Sequence, residues 1–307
     1  MLKRIIICTL MLALSFMMPL SASTQNGNAL ENKLSAVEIM IYGASFPGGI
    51  LDRTDRLEEH IYGESYMGSI FQRIDVLYSH VKETTEFMPS LLTKINAIEW
   101  MVNTNITNAP IQPRISQMEN TLGIPTDVMM SLDERIEDLR KVIFIDGEIE
   151  VIPAILTRDS LIKVRTTSPI NSTRNKAGDP IEVIVDQDVF IGSVLIIPRG
   201  AKGTGTVTKV SPARNFGRDA RLEISIDSIN CIDGNTISTF IGDKATKETL
   251  SATKATGASV AGIAVLGPVG IIGGAFVSGK NIDIPAGTQL YVQTSTDEDL
   301  FGVTVRR

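Results

Sequence analysis

The amino-acid sequence predicts an α+β protein in which short helical repeats are followed by an antiparallel β barrel or sandwich. Three observations carry this prediction. An apolar segment of 14 residues lies close to the N-terminus, apolar residues recur with helical spacing through residues 30–143, and from Gly147 onward the apolar period becomes two. They divide the chain into a signal peptide at 1–23, a helical repeat region at 24–146 and a β-rich domain at 147–307.

The N-terminal segment has the composition of a signal peptide. Lys3 and Arg4 precede the apolar segment 5–18, which is shorter than a membrane-spanning helix needs to be. A proline ends this segment, and small residues follow. We therefore expect export, with cleavage after Ala22 or Ser23. An uncleaved N-terminal anchor is the alternative.

The charge of the chain bears on its partners, and its cysteine content bears on disulfide bonds. The formal net charge is −6, and loss of the signal peptide, which holds two basic and no acidic residues, changes it to −8. An acidic chain is poorly suited to nucleic acid, so no nucleic-acid partner is expected. One cysteine, Cys231, remains after cleavage, and a single thiol cannot form an internal disulfide.

Six helical units start every 20 or 21 residues along the repeat region. Each has apolar residues at i, i+4, i+7 and i+11, with Thr54 as the exception, and this spacing forms one stripe on a helix of about three turns. Helices this short are marginal alone, so the units must pack against one another. The stripes begin at Leu30, Ile50, Ile70, Leu91, Ile111 and Leu132.

Two polar positions of the unit also repeat. The fourth residue is basic in all six units, and the ninth is glutamate in four of them. These positions lie on opposite flanks of the stripe, so a basic flank could face the acidic flank of a neighbouring helix, or both could be solvated edges. The basic residues are Lys33, Arg53, Arg73, Lys94, Arg114 and Arg135, and the glutamates are Glu38, Glu58, Glu99 and Glu119.

The units resemble the short repeats with a Leu-Glu, Tyr-Gly, Gly and Arg signature of envelope proteins from cyanobacteria and diderm Firmicutes. Tyr42-Gly43 and Tyr62-Gly63 carry this resemblance. It covers residues 30–81 well and 90–143 loosely, because the later units lack Tyr-Gly. The resemblance implies an envelope location and no known chemistry.

The second half of the chain is rich in β-branched residues with the alternation of half-buried strands. Asp233-Gly234-Asn235 is a tight-turn signal between two of these strands. Short strands joined by Gly- and Pro-containing turns, without helical alternation, favour an antiparallel barrel or sandwich. The predicted strands are 161–166, 181–185, 194–197, 204–210, 222–229, 236–240 and 289–294.

Motifs in this half resemble the β domain of the conjugal-transfer TrbI family, which supplies outer-membrane-core subunits of type IV secretion machines. The best match is the stretch 195–200, Leu-Ile-Ile-Pro-Arg-Gly, followed by Gly203 and Gly205. The resemblance covers about residues 150–295. That family has an inner-membrane anchor and a proline-rich linker, whereas this chain has a predicted signal peptide and helical repeats. The resemblance thus implies a shared module rather than a shared secretion role.

Residues 258–277 contain no charged side chain and lie inside a predicted insertion at 255–280. Gly267-Pro268 would turn this segment into two arms, and Gly270 and Gly274 would permit close approach of another helix. The segment is either a membrane or partner insertion, or an apolar hairpin on the chain's own barrel. The predicted contact residues are Ile263, Leu266, Gly267, Pro268, Gly270, Ile271, Gly274 and Phe276.

The sequence has no constellation typical of catalysis or of metal or cofactor binding, so we expect no enzyme activity, no cofactor and no metal. His60 and His80 occupy the same repeat position, which the repeat itself explains. The acidic run at 297–299 is interpreted as a solvated tail, and Cys231 as a buried thiol.

Together these features favour an exported structural or interaction protein of the cell envelope, periplasmic or outer-membrane-associated. The helical repeats would be a spacer or assembly surface, and the β domain a docking module. Expected partners are other envelope proteins or a second copy through the repeats, or the membrane through 258–277. The alternative is a subunit of a secretion or conjugation-type channel, and an enzyme acting on envelope polymers is disfavoured.

Overall fold

The computed structural model describes residues 21–144, 148–213, 220–255 and 281–304. Within these residues, helices are followed by antiparallel sheets and a closed barrel, which confirms the predicted α+β class. Each of the six apolar stripes forms one helix. The helices are α1 (Ser21–Tyr42), α2 (Ile50–Tyr62), α3 (Ile70–Lys82), α4 (Leu91–Asn103), α5 (Ile111–Leu122), α6 (Leu132–Ile143) and, between strands, α7 (Asp243–Ala255).

Local sequence sets where these helices begin and end. Ser90 and Ser131 are N-caps whose side chains accept the backbone N–H of the third helical residue. Gly63 and Gly123 follow α2 and α5 in the left-handed conformation that ends a helix. Thr104 adopts the same conformation after α4, with a φ of 54°, although it has a side chain. The missing Tyr-Gly therefore leaves the left-handed ending unchanged in α4 and α5, whereas α6 ends at Phe144 in an extended conformation.

α1 and α2 lie side by side and run in the same direction. Arg53, the fourth residue of the α2 unit, donates to Ser35, the sixth residue of the α1 unit, at 3.1 Å. Towards the other end, the rings of Tyr42 and His60 stack with centroids 5.2 Å apart. Because starts meet starts and ends meet ends, the two helices are parallel.

A third parallel helix closes a ring that we call the first trio (α1–α3). In each of its helices, the basic fourth residue contacts the sixth residue of the helix beside it, and Lys33 of α1 closes the ring by reaching Asp75 of α3 at 2.6 Å. The apolar stripes fill the axis of the ring. α4–α6 repeat the arrangement as the second trio. The other contacts of this kind are Arg53–Ser35, Arg73–Asp55, Arg114–Asn96 and Arg135–Ser116.

Parallel neighbours require a connection that returns to the start of the next helix. A helix of 13 residues is about 20 Å long, and a seven-residue connection can span up to about 27 Å. Four connections, which we call the return segments, have the length for this path. They are residues 43–49, 63–69, 104–110 and the longer 123–131.

In the four units that have it, the ninth-position glutamate joins its helix to the next helix and to the return segment between them. Glu58 accepts from Arg73 Nε at 3.0 Å and from the backbone N–H of Tyr66 at 2.8 Å. Both charged side chains are buried, with exposed fractions of 2% for Glu58 and 8% for Arg73. The two repeated charges therefore face each other, and the alternative of solvated edges is wrong for these pairs. The equivalent pairs are Arg53–Glu38, Arg114–Glu99 and Arg135–Glu119.

The series of pairs is interrupted between the third and fourth units. The third unit has Tyr78 at its ninth position, and the fourth unit has Lys94 at its fourth. α4 belongs to the second trio and does not lie parallel beside α3, so an Arg–Glu pair between these two helices is not required. Lys94 and Glu137 instead occupy the places that Lys33 and Asp75 have in the first trio. A hydrogen bond from Arg140, with a smaller contribution from Lys94, lowers the pKa of Glu137.

The two trios meet end to end at a contact that we call the joint. Gly43, after α1, lies against Pro110, before α5, and Gly63, after α2, lies against Ser131, before α6. The result is a rod of two trios, about 40 Å long at 1.5 Å per helical residue. The apolar residues on the two sides of the joint are fully buried. They are Ile41, Ile61 and Val81 on one side and Leu91, Ile111 and Leu132 on the other.

The strands of the described residues form a closed six-stranded barrel, a separate four-stranded sheet and a two-stranded sheet of β3 and β10. The barrel order is β11-β2-β4-β7-β8-β9, and the sheet order is β1-β12-β6-β5. Alternate residues of β2 and β4 are buried, as the period of two predicts. The strands are β1 (Val151–Leu156), β2 (Leu161–Thr166), β3 (Ile170–Asn171), β4 (Pro180–Val185), β5 (Val189–Ile191), β6 (Val194–Ile197), β7 (Lys202–Ser211), β8 (Arg221–Asn230), β9 (Thr236–Phe240), β10 (Asp283–Ile284), β11 (Gln289–Thr294) and β12 (Glu298–Thr304).

Two sequence interpretations of this half are corrected. The chain forms helix α7 after β9, where no helix was predicted. The acidic run at 297–299 is not a solvated tail, because β12 starts at Glu298 and pairs with both β1 and β6. Leu300 and Val303 of this strand are buried in the core, and these tertiary contacts outweigh the local charge.

The first prediction compares two basic residues at the same repeat position. Arg73→Met leaves the Glu58 carboxylate buried without its cation, and breaking a buried pair costs about 3–5 kcal/mol. Lys33→Met removes a pair whose side chains are 42% and 57% exposed, which costs about 0–1 kcal/mol. The free energy of unfolding in urea, followed by circular dichroism, should show this difference. Equal losses would contradict the structural role of the buried pairs.

Candidate interaction surfaces

The predicted insertion residues cannot be placed by the structure. All of them lie outside the described residues: Ile263, Leu266, Gly267, Pro268, Gly270, Ile271, Gly274 and Phe276. The described residues on the two sides of the insertion contact different sheets. On one side, Ala245 of α7 donates its backbone N–H to Gln293 of β11 at 2.9 Å, and on the other, Ile282 and Ser172 exchange hydrogen bonds. The chain before 256–280 is therefore held by the barrel strand β11, and the chain after it by the β3–β10 sheet.

The helical rod is fixed to the β domain by α4. The Asn96 amide donates to the carbonyl of Ile232 at 2.9 Å, and the Trp100 indole N–H donates to Asp188 at 2.9 Å. The Trp100 ring also packs edge-on against Phe190, with centroids 6.1 Å apart. All of these α4 side chains are buried, so the contact holds one orientation of the rod.

The return segment 104–110 completes this attachment, which we call the junction. Ile106 donates its backbone N–H to the carbonyl of Arg199 at 2.8 Å, and the Asn108 amide donates to the carbonyl of Gly200 at 2.9 Å. A side chain at Gly200 would place its Cβ 2.0 Å from the carbonyl oxygen of Ile106. The glycine is therefore required by the close approach of the rod and also by its φ of +89°.

The junction explains a motif that the sequence singled out for another reason. The stretch 195–200 carries the best resemblance to the secretion-machine β domain, and its final Arg199-Gly200 contacts the rod of this same chain. Sequence reasoning identified the motif but missed its partner. Asn96 and Trp100 were missed as well, although each is a polar or aromatic residue on a helix that docks on the β domain. Their partners, Asp188 and Ile232, lie 88 and 136 positions later in the chain, and no local sequence pattern indicates these contacts.

A second contact lies beside the junction at the turn that joins β8 and β9. The Lys82 ammonium donates to the carbonyl of Gly234, and burial lowers the pKa of Lys82. A side chain at Gly234 would place its Cβ 2.7 Å from Leu92. The turn predicted from Asp233-Gly234-Asn235 thus doubles as a docking point for α3 and α4.

Both histidines of the chain lie at the joint and have different partners. His60 Nδ1 is 2.6 Å from the Tyr42 hydroxyl, and His80 Nε2 is 2.9 Å from Asp133 of α6. Burial, with a smaller contribution from Arg135, lowers the pKa of His60. Within the described ranges, no three His, Cys, Asp or Glu side chains are grouped so that they could hold a metal ion.

Large apolar side chains are exposed along the rod. The return segments and the loop 83–90 expose Met67, Phe87, Met88, Val128 and Met129, and the helices expose Leu51, Phe71, Val76 and Val142. In the parts of the chain that the structure covers, each helix is too short or too polar to cross a bilayer. These residues are the described candidates for contact with other molecules.

The junction generates the second prediction, a comparison of two glycine substitutions. Gly200→Ala should open the junction, because its Cβ would collide with the Ile106 carbonyl. Gly178→Ala is the matched control, since its φ of +92° is equally unfavourable but nothing lies within 4 Å. Hydrogen exchange of the Ile106 amide should accelerate at least tenfold in Gly200→Ala and stay unchanged in Gly178→Ala. Equal protection in both variants would contradict a tightly docked rod.

The third prediction concerns the effect of pH on the joint. Because the pKa of His60 is lowered from its usual 6.5, the unfolded chain binds a proton more readily than the folded chain, and stability should fall as pH drops below about 6.5. Urea unfolding of His60→Gln between pH 7.5 and 5 should show a weaker loss of stability than wild type. Tyr42→Phe keeps the titrating ring, so it should keep the pH dependence. An unchanged pH profile in His60→Gln would argue against this role.

Comparisons with known proteins bear on the β domain. No protein-family model matches the chain, and neither does any of the curated proteins. Among solved structures, ComB10 of the Com type IV secretion system of Helicobacter pylori matches with 18% identity and a TM-score of 0.27, and the match covers 47% of this chain and 88% of that one.

Proposed function

We propose that the chain is an exported structural protein of the cell envelope, in which the rod is a spacer or assembly surface and the β domain is a docking module. The observation that carries this proposal is the junction. Buried hydrogen bonds from Asn96 and Trp100 hold the rod in one orientation on the β domain, as a spacer requires. A flexible linker would transmit neither distance nor direction between its ends.

The construction of the rod supports the same role. Its length comes from two trios of short helices, and each of four buried Arg–Glu pairs joins one helix to the next. These pairs are inside the rod and use no outward-facing surface. The outer faces of the helices remain available for contact with other envelope proteins or with a second copy.

The secretion or conjugation-type channel subunit is the second candidate, and the motif at 195–200 favours it. In this chain the end of that motif contacts the rod, so a channel partner would have to bind elsewhere on the β domain. Membrane or partner contact through 258–277 is part of both proposals. A channel role predicts stable co-purification with other envelope subunits, whereas the spacer role does not require it.

The fourth prediction tests export with single cysteines. Glu59→Cys on α2 and Ala177→Cys between β3 and β4 both replace exposed residues. A membrane-impermeant maleimide should label both in cells whose outer membrane alone has been opened. Intact mass of the labelled protein should place the mature N-terminus near Ser23 or Thr24.

The wild-type chain is the control for this labelling. Its Cys231 is buried, and burial raises the pKa of the thiol, so it should react only after denaturation. Labelling of Glu59→Cys and Ala177→Cys that appears only when the cytoplasmic membrane is broken would overturn the export proposal.

A further inference from the structure

The joint shows how one trio end binds another. On the first-trio side of the joint, the last stripe residue of each helix is fully buried. On the second-trio side, the first stripe residue of each helix is buried to the same extent. Beside them, His80, at the eleventh position of its unit, contacts Asp133, at the second position of its unit. Stripe ends therefore meet at the centre of the joint, and positions eleven and two meet at its rim.

The two outer ends of the rod have the same design, but their apolar side chains are less completely covered by the described residues than those at the joint. At the N-terminal end, the first stripe residues Ile50 and Ile70 are only half-buried, and the second-position residues Leu51 and Phe71 are 54% and 51% exposed. Leu30, which begins the stripe of α1, is buried because α1 continues past this end. Apolar side chains thus occupy the places that are covered at the joint.

The C-terminal end of the second trio is the counterpart. Its last stripe residues Val102, Leu122 and Ile143 are half-buried, whereas the equivalent residues of the first trio are fully buried at the joint. Val142, at the eleventh position of its unit, is 62% exposed. Both ends therefore expose apolar residues at the rim positions that touch each other across the joint.

We propose that the N-terminal end of the rod docks on the C-terminal end of the second trio of another copy of this chain, head to tail. α1 projects about 13 Å beyond the starts of α2 and α3, so it would lie alongside the partner rod while the ends of α2 and α3 make the contact. This inference deepens the proposed assembly role and rests on it. It adds the partner, a second copy, and the two surfaces that meet.

Charge favours a second copy over a lipid surface. Asp52 lies in the first turn of α2, next to Leu51, and Arg140 and Lys141 lie in the last turn of α6, next to Val142. Arg140 and Lys141 pair along α6 with Glu137 and Asp138, so Asp52 would meet an end whose charges are balanced. The Asp52 carboxylate is unfavourable against an anionic membrane surface. Because the two surfaces differ, such contacts do not close on themselves and produce open chains of molecules.

The fifth prediction tests this with variants that block one end each. Leu51→Glu with Phe71→Glu blocks the N-terminal end, and Val142→Glu blocks the C-terminal end; all three residues are more than half exposed, so the fold should tolerate the changes. In sedimentation velocity of the purified chain between about 1 and 100 µM, wild type should grow in average mass without reaching a plateau, as open-ended association predicts. Each blocked variant alone should stay monomeric.

Mixing the two blocked variants is the decisive measurement. Each retains the end that the other has lost, so the mixture should form one complex of twice the monomer mass and no larger species. Ile155→Glu, a 58% exposed residue on the edge strand β1, is the matched control and should associate like wild type.

Three results would overturn the proposal: a wild type that is monomeric at every concentration, blocked variants that associate like wild type, or a mixture without the twofold species. A monomeric wild type that floats with phosphatidylcholine vesicles, while the Leu51→Glu, Phe71→Glu variant does not, would assign the end to lipid instead. The test is made on purified protein and the export test in cells, so failure of one leaves the other result intact.

Discussion

The helical half of this protein depends on a buried carboxylate that is shared between three segments of the chain. Glu58 accepts from the guanidinium of the next helix and from the backbone of the return segment that leads to it. A buried carboxylate without partners is very unfavourable, so these hydrogen bonds fix where the next helix must lie. They also fix its direction, since Arg73 is near the start of α3 and the return segment must run back along α2 to reach it.

Repetition of this arrangement produces a trio, and its interruption produces the joint. After three helices the ring is closed by Lys33 and Asp75, and a fourth helix would have no free stripe to pack against. The third unit accordingly has a tyrosine in place of the glutamate, and the chain moves on to a second layer. A single chain thus builds the kind of parallel three-helix packing that normally requires three separate chains, with return segments as the cost in length.

The joint and the junction give the molecule its functional geometry. At the joint, two trio ends bury six aliphatic side chains, which at about 1.5–3 kcal/mol for each large aliphatic side chain is a substantial stabilisation. At the junction, α4 and one return segment fix the rod to the β domain with hydrogen bonds to three backbone carbonyls and to the Asp188 carboxylate. The backbone carbonyls are present whatever the side chains are, so this part of the junction depends on shape, and Gly200 provides that shape.

The sequence by itself determined the elements and their boundaries to a large extent. A stripe at i, i+4, i+7 and i+11 can be buried only by a helix, and alternating β-branched residues only by a strand, so both follow from local periodicity. Five strands, β1, β3, β5, β10 and β12, escaped this reasoning. β3, β5 and β10 have only two or three residues, too few to show a period, and the proline in β1 and the acidic start of β12 are tolerated only by their partners in the sheet. Helix α7 escaped it because its apolar face is provided largely by small residues and threonines.

Only the tertiary structure decided which way the helices run and which surfaces remain open. Periodicity is the same for parallel and antiparallel neighbours, and a seven-residue connection allows both. The choice was made by long-range contacts between charged residues 15 or 16 positions apart, and the junction by contacts across 88 and 136 positions. The sequence shows that these residues exist, but their partners are brought together only when the stripes have been buried around a common axis.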